Sequence, residues 1–108
     1  MDSSRDFYRV TYPKRERPVL VLQDDEWPIS DVSETGLRYE VATGDLPELG
    51  EEIYGEVRFQ RGDRTLIAGE VLRLEGRRIA LRLEPPGVPF RILLEEQQFL
   101  RTKYVEQE

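Results

Sequence analysis

Two short groups of polar residues have the types and spacing of a ligand-binding site. Arg5 and Arg9 form an Arg-x-x-x-Arg motif in the segment RDFYR. Asp31, Ser33 and Gly36 form Asp-x-Ser-x-x-Gly in the segment DVSETG. A guanidinium group can bind a phosphate, or the O6/N7 edge of guanine, through two parallel hydrogen bonds. A carboxylate can accept hydrogen bonds from the N–H groups of guanine. Together the two motifs predict a site for a guanine base and its phosphates.

Each motif also has an ordinary structural explanation. Arginine is frequent in this chain, so two arginines four residues apart can arise by chance. The carboxylate of Asp31 and the hydroxyl of Ser33 can cap the backbone of a simple turn. The aromatic rings of Phe7 and Tyr8 lie between the two arginines, where a ring can stack on a purine. The prediction of a ligand-binding site therefore depends on the presence of both motifs together.

Composition limits the other kinds of chemistry. The 108 residues suffice for one domain, and the chain has neither cysteine nor histidine. This excludes disulfides, thiol nucleophiles, Cys/His zinc sites and Ser-His catalytic pairs. Carboxylate pairs remain, as at Asp24/Asp25 and Glu95/Glu96, but neighbouring side chains diverge in a turn and on a helix. We therefore expect no enzyme activity, no metal and no cofactor.

Charge and hydropathy bear on partners and location. The net charge of −6 disfavours binding to nucleic acid polymers. No apolar run approaches the ~20 residues of a membrane span, and the N-terminus lacks the apolar core of a signal peptide. We therefore expect no membrane insertion and a cytoplasmic location. Residues 1–17 are basic whereas the remainder is acidic, which suits a flexible leader that captures an anionic ligand.

Alternating apolar residues predict a mainly β fold of six short antiparallel strands, closed into a small barrel. Turns are expected at DDEWP, RGDR and EGRR, and a bulge or a sharp bend is expected at Gly69, where the apolar phase of the strand changes. The six predicted strands are PVLVLQ, ISDVS, LRYEV, IYGEVRF, TLIAGEVLRLE and IALRL.

The pattern changes to helical periodicity after PPGVP and predicts one amphipathic helix over residues 89–104. We expect this helix to cover the barrel. Ile92 and Phe99 lie off its predicted apolar face and are available for a second surface or a partner. The predicted apolar face consists of Phe90, Leu93, Leu94, Leu100 and Tyr104.

Both motifs, their order and separation, and the strands and terminal helix that follow resemble the PilZ domain, a bacterial receptor module for cyclic di-GMP. The resemblance implies a PilZ-like barrel with its C-terminal helix over residues 18–108, preceded by the flexible basic leader at 1–17. It also implies that the leader arginines contact guanine and phosphate groups, while the second motif completes the pocket on the barrel surface. The implied ligand-binding residues are Arg5, Arg9, Asp31, Ser33 and Gly36.

The chain departs from the family pattern at two positions. Asp6 stands where many members have a second arginine, which lowers the expected affinity. Ala80 stands where many members have glycine.

The resemblance implies a second-messenger receptor that binds cyclic di-GMP, orders its leader and passes the signal to an unidentified protein. The alternative is a PilZ-like adaptor that binds proteins and no nucleotide.

Overall fold

The computed structural model describes residues 8–105, which form seven β-strands and one α-helix. A short 3-10 helix, Lys14–Glu16, follows the first strand. The strands are β1 (Arg9–Thr11), β2 (Val19–Leu22), β3 (Asp25–Ser33), β4 (Gly36–Glu40), β5 (Glu52–Arg58), β6 (Arg64–Glu75) and β7 (Arg78–Leu83), and the helix is α1 (Phe90–Val105).

Six of the strands form a closed antiparallel barrel, which confirms the predicted fold. The order is β2-β5-β6-β7-β4-β3, and β3 pairs with β2 to close the ring. The first strand, β1, lies outside this ring and pairs with the end of β3. Closure leaves no unpaired edge within the ring, which is the usual solution for a small all-β domain.

The barrel interior is filled by the inward side of the alternating strands. Ile29, Val57 and Ile79 are fully buried there, and Leu37 and Tyr39 of β4 are almost as buried. As predicted, the inward side chains of β4, β5 and β7 follow a period of two residues.

The chain between β1 and β2 packs against the barrel and the helix, and sequence periodicity did not reveal this. Val10 of β1 and Tyr12, just after this strand, are both buried, whereas Thr11 between them is exposed. The carboxylate of Glu16 accepts hydrogen bonds from Lys103 Nζ (2.5 Å) and Tyr104 Oη (3.0 Å) near the end of α1. These contacts connect the N-terminal segment directly to the helix.

The helix spans residues 90–105, close to the prediction, but its buried face differs. Ile92 is only 2% exposed, whereas Leu94 is 40% exposed. The buried face includes Glu96, whose carboxylate accepts a hydrogen bond from Tyr12 Oη (2.7 Å). Leu93 and Leu100 of the predicted face are buried, and Phe90 and Tyr104 pack against the core, so Leu94 is the one residue of that face that was misplaced. Hydrophobicity alone places a glutamate outside, so the pattern did not reveal Glu96 as part of the buried face. Ile92 is therefore core and offers no partner surface.

Two local predictions within the strands are wrong. The turn predicted at DDEWP lies at Gln23 and Asp24, and residues 25–28 already belong to β3. Gln23 adopts a φ of 55°, which allows this tight reversal.

The bulge predicted at Gly69 instead falls between Val71 and Arg73. Gly69 itself meets a different constraint, because a Cβ there would lie 2.6 Å from the carbonyl oxygen of Arg82.

No helix in residues 8–105 is long and apolar enough to cross a membrane.

Candidate ligand-binding site

The pairing of β1 with β3 brings the second arginine of the leader to the Asp-x-Ser motif. Arg9 lies opposite Ser33, and Thr11 lies opposite Asp31. Arg9 Nη1 forms an ion pair with Asp31 Oδ1 at 2.5 Å, and Arg9 Nη2 lies 3.4 Å from Ser33 Oγ. The Arg9 side chain remains 39% exposed, so its guanidinium is accessible to a ligand.

Asp31 is the central acceptor of this cluster. Its Oδ2 accepts hydrogen bonds from Ser30 Oγ (3.2 Å) and Arg38 Nη1 (3.3 Å), while Oδ1 faces Arg9. The side chain is almost completely buried. A carboxylate has about four lone-pair positions, and three donors already occupy it. In this conformation Asp31 orients two arginines.

Ser33 and Gly36 shape the turn between β3 and β4. Ser33 Oγ donates to the carbonyl oxygen of Gly36 (3.3 Å), which holds the turn closed. A Cβ at Gly36 would lie 3.0 Å from the carbonyl oxygen of Leu81 and 3.7 Å from Arg9 Nη2. Glycine therefore permits the close approach of β4 to β7 beside the Arg9 guanidinium.

A bulge in β3 places the motif on the outside of the barrel. Ile29 and Asp31 pair with the consecutive residues Tyr39 and Arg38, so that Ser30 is an extra residue. Strict alternation from the buried Ile29 would turn Asp31 inward. The extra residue reverses the phase, so that Val32 is buried and Asp31 faces the arginines.

A second bulge, at Leu72 of β6, borders the same region. Consecutive residues of a regular strand point to opposite faces, but this bulge lets Leu72 and Arg73 line the same surface cavity. The cavity has a volume of about 260 Å³, and Arg9 also lines it. The cavity floor contains Gly36 and Ala80, two small residues on neighbouring strands. Bulges commonly lie beside binding sites because they redirect side chains.

Three arginines of this cavity were missed by motif reasoning: Arg38, Arg73 and Arg82. They lie on the outward sides of β4, β6 and β7. Strand alternation could have indicated two of them, because Arg38 points to the same face of β4 as Gly36. In the same way, Arg82 points to the same face of β7 as Ala80. Only the pairing of β4 with β7 reveals that these positions are adjacent.

The cavity is electropositive after its ion pairs are counted. Arg9 and Arg38 share Asp31, Arg38 and Arg73 share Glu75, and Arg82 pairs with Glu70. Four guanidinium groups thus face three carboxylates. These arginine side chains are 30–60% exposed, and a phosphate can compete for their N–H groups.

Four of the five predicted ligand-binding residues, Arg9, Asp31, Ser33 and Gly36, therefore meet in one place. The fifth, Arg5, lies outside the described residues. Within residues 8–105, no three potential metal-ligating side chains lie close enough to hold a metal ion.

The other end of β1 reaches a buried polar contact with α1. Burial raises the pKa of Glu96, and the charge of Arg61 opposes this shift. Burial and the hydrogen bond to Glu96 raise the pKa of Tyr12. Glu96 Oε2 is buried, lies 3.8 Å from Arg61 Nη1 as an ion pair, and has no hydrogen-bond partner among residues 8–105. The N-terminal segment thus contacts the arginine cavity at Arg9 and the helix at Tyr12.

Comparisons with known proteins agree with this architecture. The structure is similar to the crystal structure of an uncharacterised Legionella protein, Lpg0364, with a TM-score of 0.66 at 16% sequence identity. The similarity covers 89% of this chain and 97% of that one, and it shows that the two proteins share a fold. A comparison with curated proteins gives no significant match. The sequence matches the PilZ domain family over residues 3–100. The chain therefore belongs to the PilZ domain family, a family of cyclic di-GMP receptors.

Proposed function

We propose that this protein is a receptor for cyclic di-GMP and binds it in the arginine-lined cavity beside β1. The observation that carries the proposal is the Arg9–Asp31 pair, which joins two separate motifs at a cavity with an excess of positive charge. Arginine forks match both chemical parts of the ligand, because they bind phosphate oxygens and the O6/N7 edge of guanine.

The cavity size constrains how the ligand binds. A volume of about 260 Å³ lies below the ~300–1,000 Å³ range of ordinary small-molecule sites. We infer that one guanine and the adjacent phosphate lie on the floor formed by Gly36 and Ala80. The rest of the ligand then projects toward the leader, where Arg5 binds it.

Ligand binding requires an exchange of partners at Asp31. Three donors occupy this carboxylate in the structure, so a guanine N–H group reaches it when Arg9 moves away. Arg9 then binds the phosphate or guanine edge, while Arg38 and Ser30 continue to hold Asp31. The ligand thereby replaces an internal ion pair with two charge-assisted contacts.

Signal relay would follow from the position of β1. The leader arginines hold the ligand, and the ligand orders the part of the leader that precedes β1, because β1 itself is already paired with β3. Because Tyr12 contacts Glu96 of α1, a shift of the segment from Arg9 to Tyr12 also reaches the helix. A downstream protein that binds this combined surface would distinguish the two states. This action is binding and relay, with no catalytic step, and we propose that it takes place in the cytoplasm.

Calorimetric titration with cyclic di-GMP, GTP and GMP tests the receptor function. We expect a dissociation constant in the micromolar range or tighter for cyclic di-GMP and much weaker binding of GTP. Affinity should fall as salt is raised, because the arginine–phosphate contacts are screened. The absence of heat at high cyclic di-GMP concentration would refute the proposal and favour the nucleotide-independent adaptor.

A further inference from the structure

Glu75, at the end of β6, is a carboxylate that two arginines of the binding cavity share. Its Oε1 lies 3.6 Å from Arg38 Nε, and its Oε2 accepts a hydrogen bond from Arg73 Nε at 3.2 Å. Arg38 of β4 and Arg73 of β6 both lie opposite Ala80, which is on the strand between them. Glu75 therefore connects the two guanidinium groups that flank the cavity floor.

The Glu75 carboxylate acts on the cavity without lying in it. Arg38 and Arg73 line the arginine cavity, whereas Glu75 lines a neighbouring cavity of about 310 Å³. The closest contacts of both arginines with Glu75 are made by their Nε atoms. A carboxylate in this place lowers the positive potential at both guanidinium groups and leaves the cavity open to a ligand.

The net charge of the cavity matches that of one phosphodiester. Among residues 8–105, four cavity arginines face three carboxylates, which leaves one positive charge. Each phosphate of cyclic di-GMP is a diester with a single negative charge. A phosphomonoester, as in GMP, has a second pKa of about 6 and carries nearly two negative charges at neutral pH. Without the charge of Glu75 the excess would be two positive charges, which matches a monoester.

We propose that Glu75 is a specificity-determining residue, which limits the arginine cavity to phosphate groups with a single charge and so disfavours guanine mononucleotides. The inference rests on the proposed cyclic di-GMP site and adds selectivity between ligands that carry the same base. Coulomb energy scales with the charge of the ligand, so Glu75 repels a monoester about twice as strongly as a diester in the same position.

Glu75→Gln tests this selectivity, because it removes the charge and keeps an acceptor oxygen for one of the two arginines. Calorimetry at pH 7.5 and low ionic strength gives the affinity for cyclic di-GMP, and competition against cyclic di-GMP gives that for GMP. We expect the variant to bind cyclic di-GMP about threefold more tightly than the parent and GMP about ninefold more tightly. The preference for cyclic di-GMP over GMP should therefore fall about threefold.

Two further variants separate this charge effect from a structural one. Glu75→Asp keeps the charge, so its preference for cyclic di-GMP should stay within about 1.5-fold of the parental value. Glu95→Gln removes a carboxylate of similar exposure that also pairs with an arginine, Arg91 on α1. Its preference should likewise remain within about 1.5-fold, because the lost charge is outside the cavity and screened by solvent.

The affinities of the parent and of Glu75→Gln together decide the outcome. Equal changes of both affinities in Glu75→Gln would overturn the proposal, as would the same loss of preference in Glu95→Gln. GMP binding too weak to detect in both proteins would also overturn it. A parent that binds no cyclic di-GMP would refute the receptor function as well, so the two failures differ in the behaviour of the parent. Thermal melting of each variant confirms that the barrel is folded.

Discussion

Arg9 Nη1 and Asp31 Oδ1 lie 2.5 Å apart, although 22 residues separate them in the sequence. The short pairing of β1 with β3 creates this contact, and the same strand presents Val10 to the core. The ion pair is therefore fixed by backbone pairing and core packing together. A ligand that competes for Arg9 acts on a residue whose backbone position is already defined.

Removal of either member of this pair should weaken cyclic di-GMP binding. We expect Arg9→Ala and Asp31→Ala each to raise the dissociation constant at least tenfold, about 1.4 kcal/mol, as measured by calorimetry. Arg101→Ala, which removes an exposed cation from α1, is the matched control and should bind as the parent does. Variants that fold and retain parental affinity would place the ligand elsewhere.

Asp31→Ala should also lower the stability of the free protein, whereas Arg9→Ala should have a smaller effect. Asp31 is buried, and its loss leaves Ser30 Oγ and Arg38 without this acceptor. Loss of a charged hydrogen-bonding partner commonly costs about 1–3 kcal/mol. Urea unfolding measures the difference. Equal stability of Asp31→Ala and the parent would show that Asp31 does not organise the cluster.

The size of residue 80 should control access to the cavity floor. Ala80 is buried, lines the arginine cavity and lies opposite Arg38 on β4. A leucine there would occupy the space assigned to the guanine, so Ala80→Leu should abolish measurable binding. Ala80→Gly should bind at least as tightly as the parent, with a stability loss of about 0.5–1 kcal/mol from added chain freedom. Strong binding by Ala80→Leu would contradict the assigned position of the base.

Glu96 should make the protein less stable as the pH rises above the ordinary glutamate pKa. Burial raises the pKa of this carboxyl in the folded state. Its stabilising contribution is therefore complete below pH 4.5 and is lost as the pH rises through the raised value. Glu96→Gln should increase the free energy of unfolding at pH 7, relative to the parent, and have little effect near pH 4.

The opposite shift at Glu16 does not obscure this comparison. The hydrogen bond from Lys103 lowers the pKa of Glu16, so its contribution is lost only as the pH falls below the ordinary value. Glu95→Gln, on the exposed side of the same helix, is the control and should show no such pH dependence. Urea denaturation at several pH values gives the measurement. A destabilised Glu96→Gln at pH 7 would mean that Arg61 compensates the buried charge fully.

Hydrogen exchange should locate the ordering that accompanies ligand binding. Peptides from the part of the leader before β1 should exchange more slowly when cyclic di-GMP is present, because Arg5 then contacts the ligand, whereas β1 is already paired with β3 without ligand. Peptides from β5 and β6 should change little, since their ladder is complete without ligand. Equal protection of the leader with and without ligand would place the switch elsewhere, with α1 as the next candidate.

The sequence was most informative where side chains alternate regularly. The alternations in β4, β5 and β7 identified strands and their inward residues because each has one face on the core. It was least informative at β1, which has only three residues and a single buried side chain. Three residues are too few to show a period.

Chemistry that depends on neighbouring strands was also hidden from the sequence. Motif spacing identified Asp31 and Ser33, but Arg38 and Arg82 become neighbours only through the register of β4 and β7. The helix gave a related error, because the buried Glu96 interrupts an apolar face that periodicity assumes to be continuous. Sequence patterns therefore predicted the fold better than the full set of residues that line the cavity.

Because Ser30 is an extra residue in β3, the orientation of Asp31 depends on the number of residues in this strand more than on the side chain at position 30. Replacement of Ser30 removes one hydroxyl from Asp31 and leaves every strand position unchanged. Deletion of Ser30 would restore simple alternation from Ile29, and the carboxylate of Asp31 would turn toward the barrel interior. The number of residues between Ile29 and Val32 thus decides which side of the wall carries the charge. A binding surface of this kind tolerates substitution at that point far more readily than the loss of a single residue.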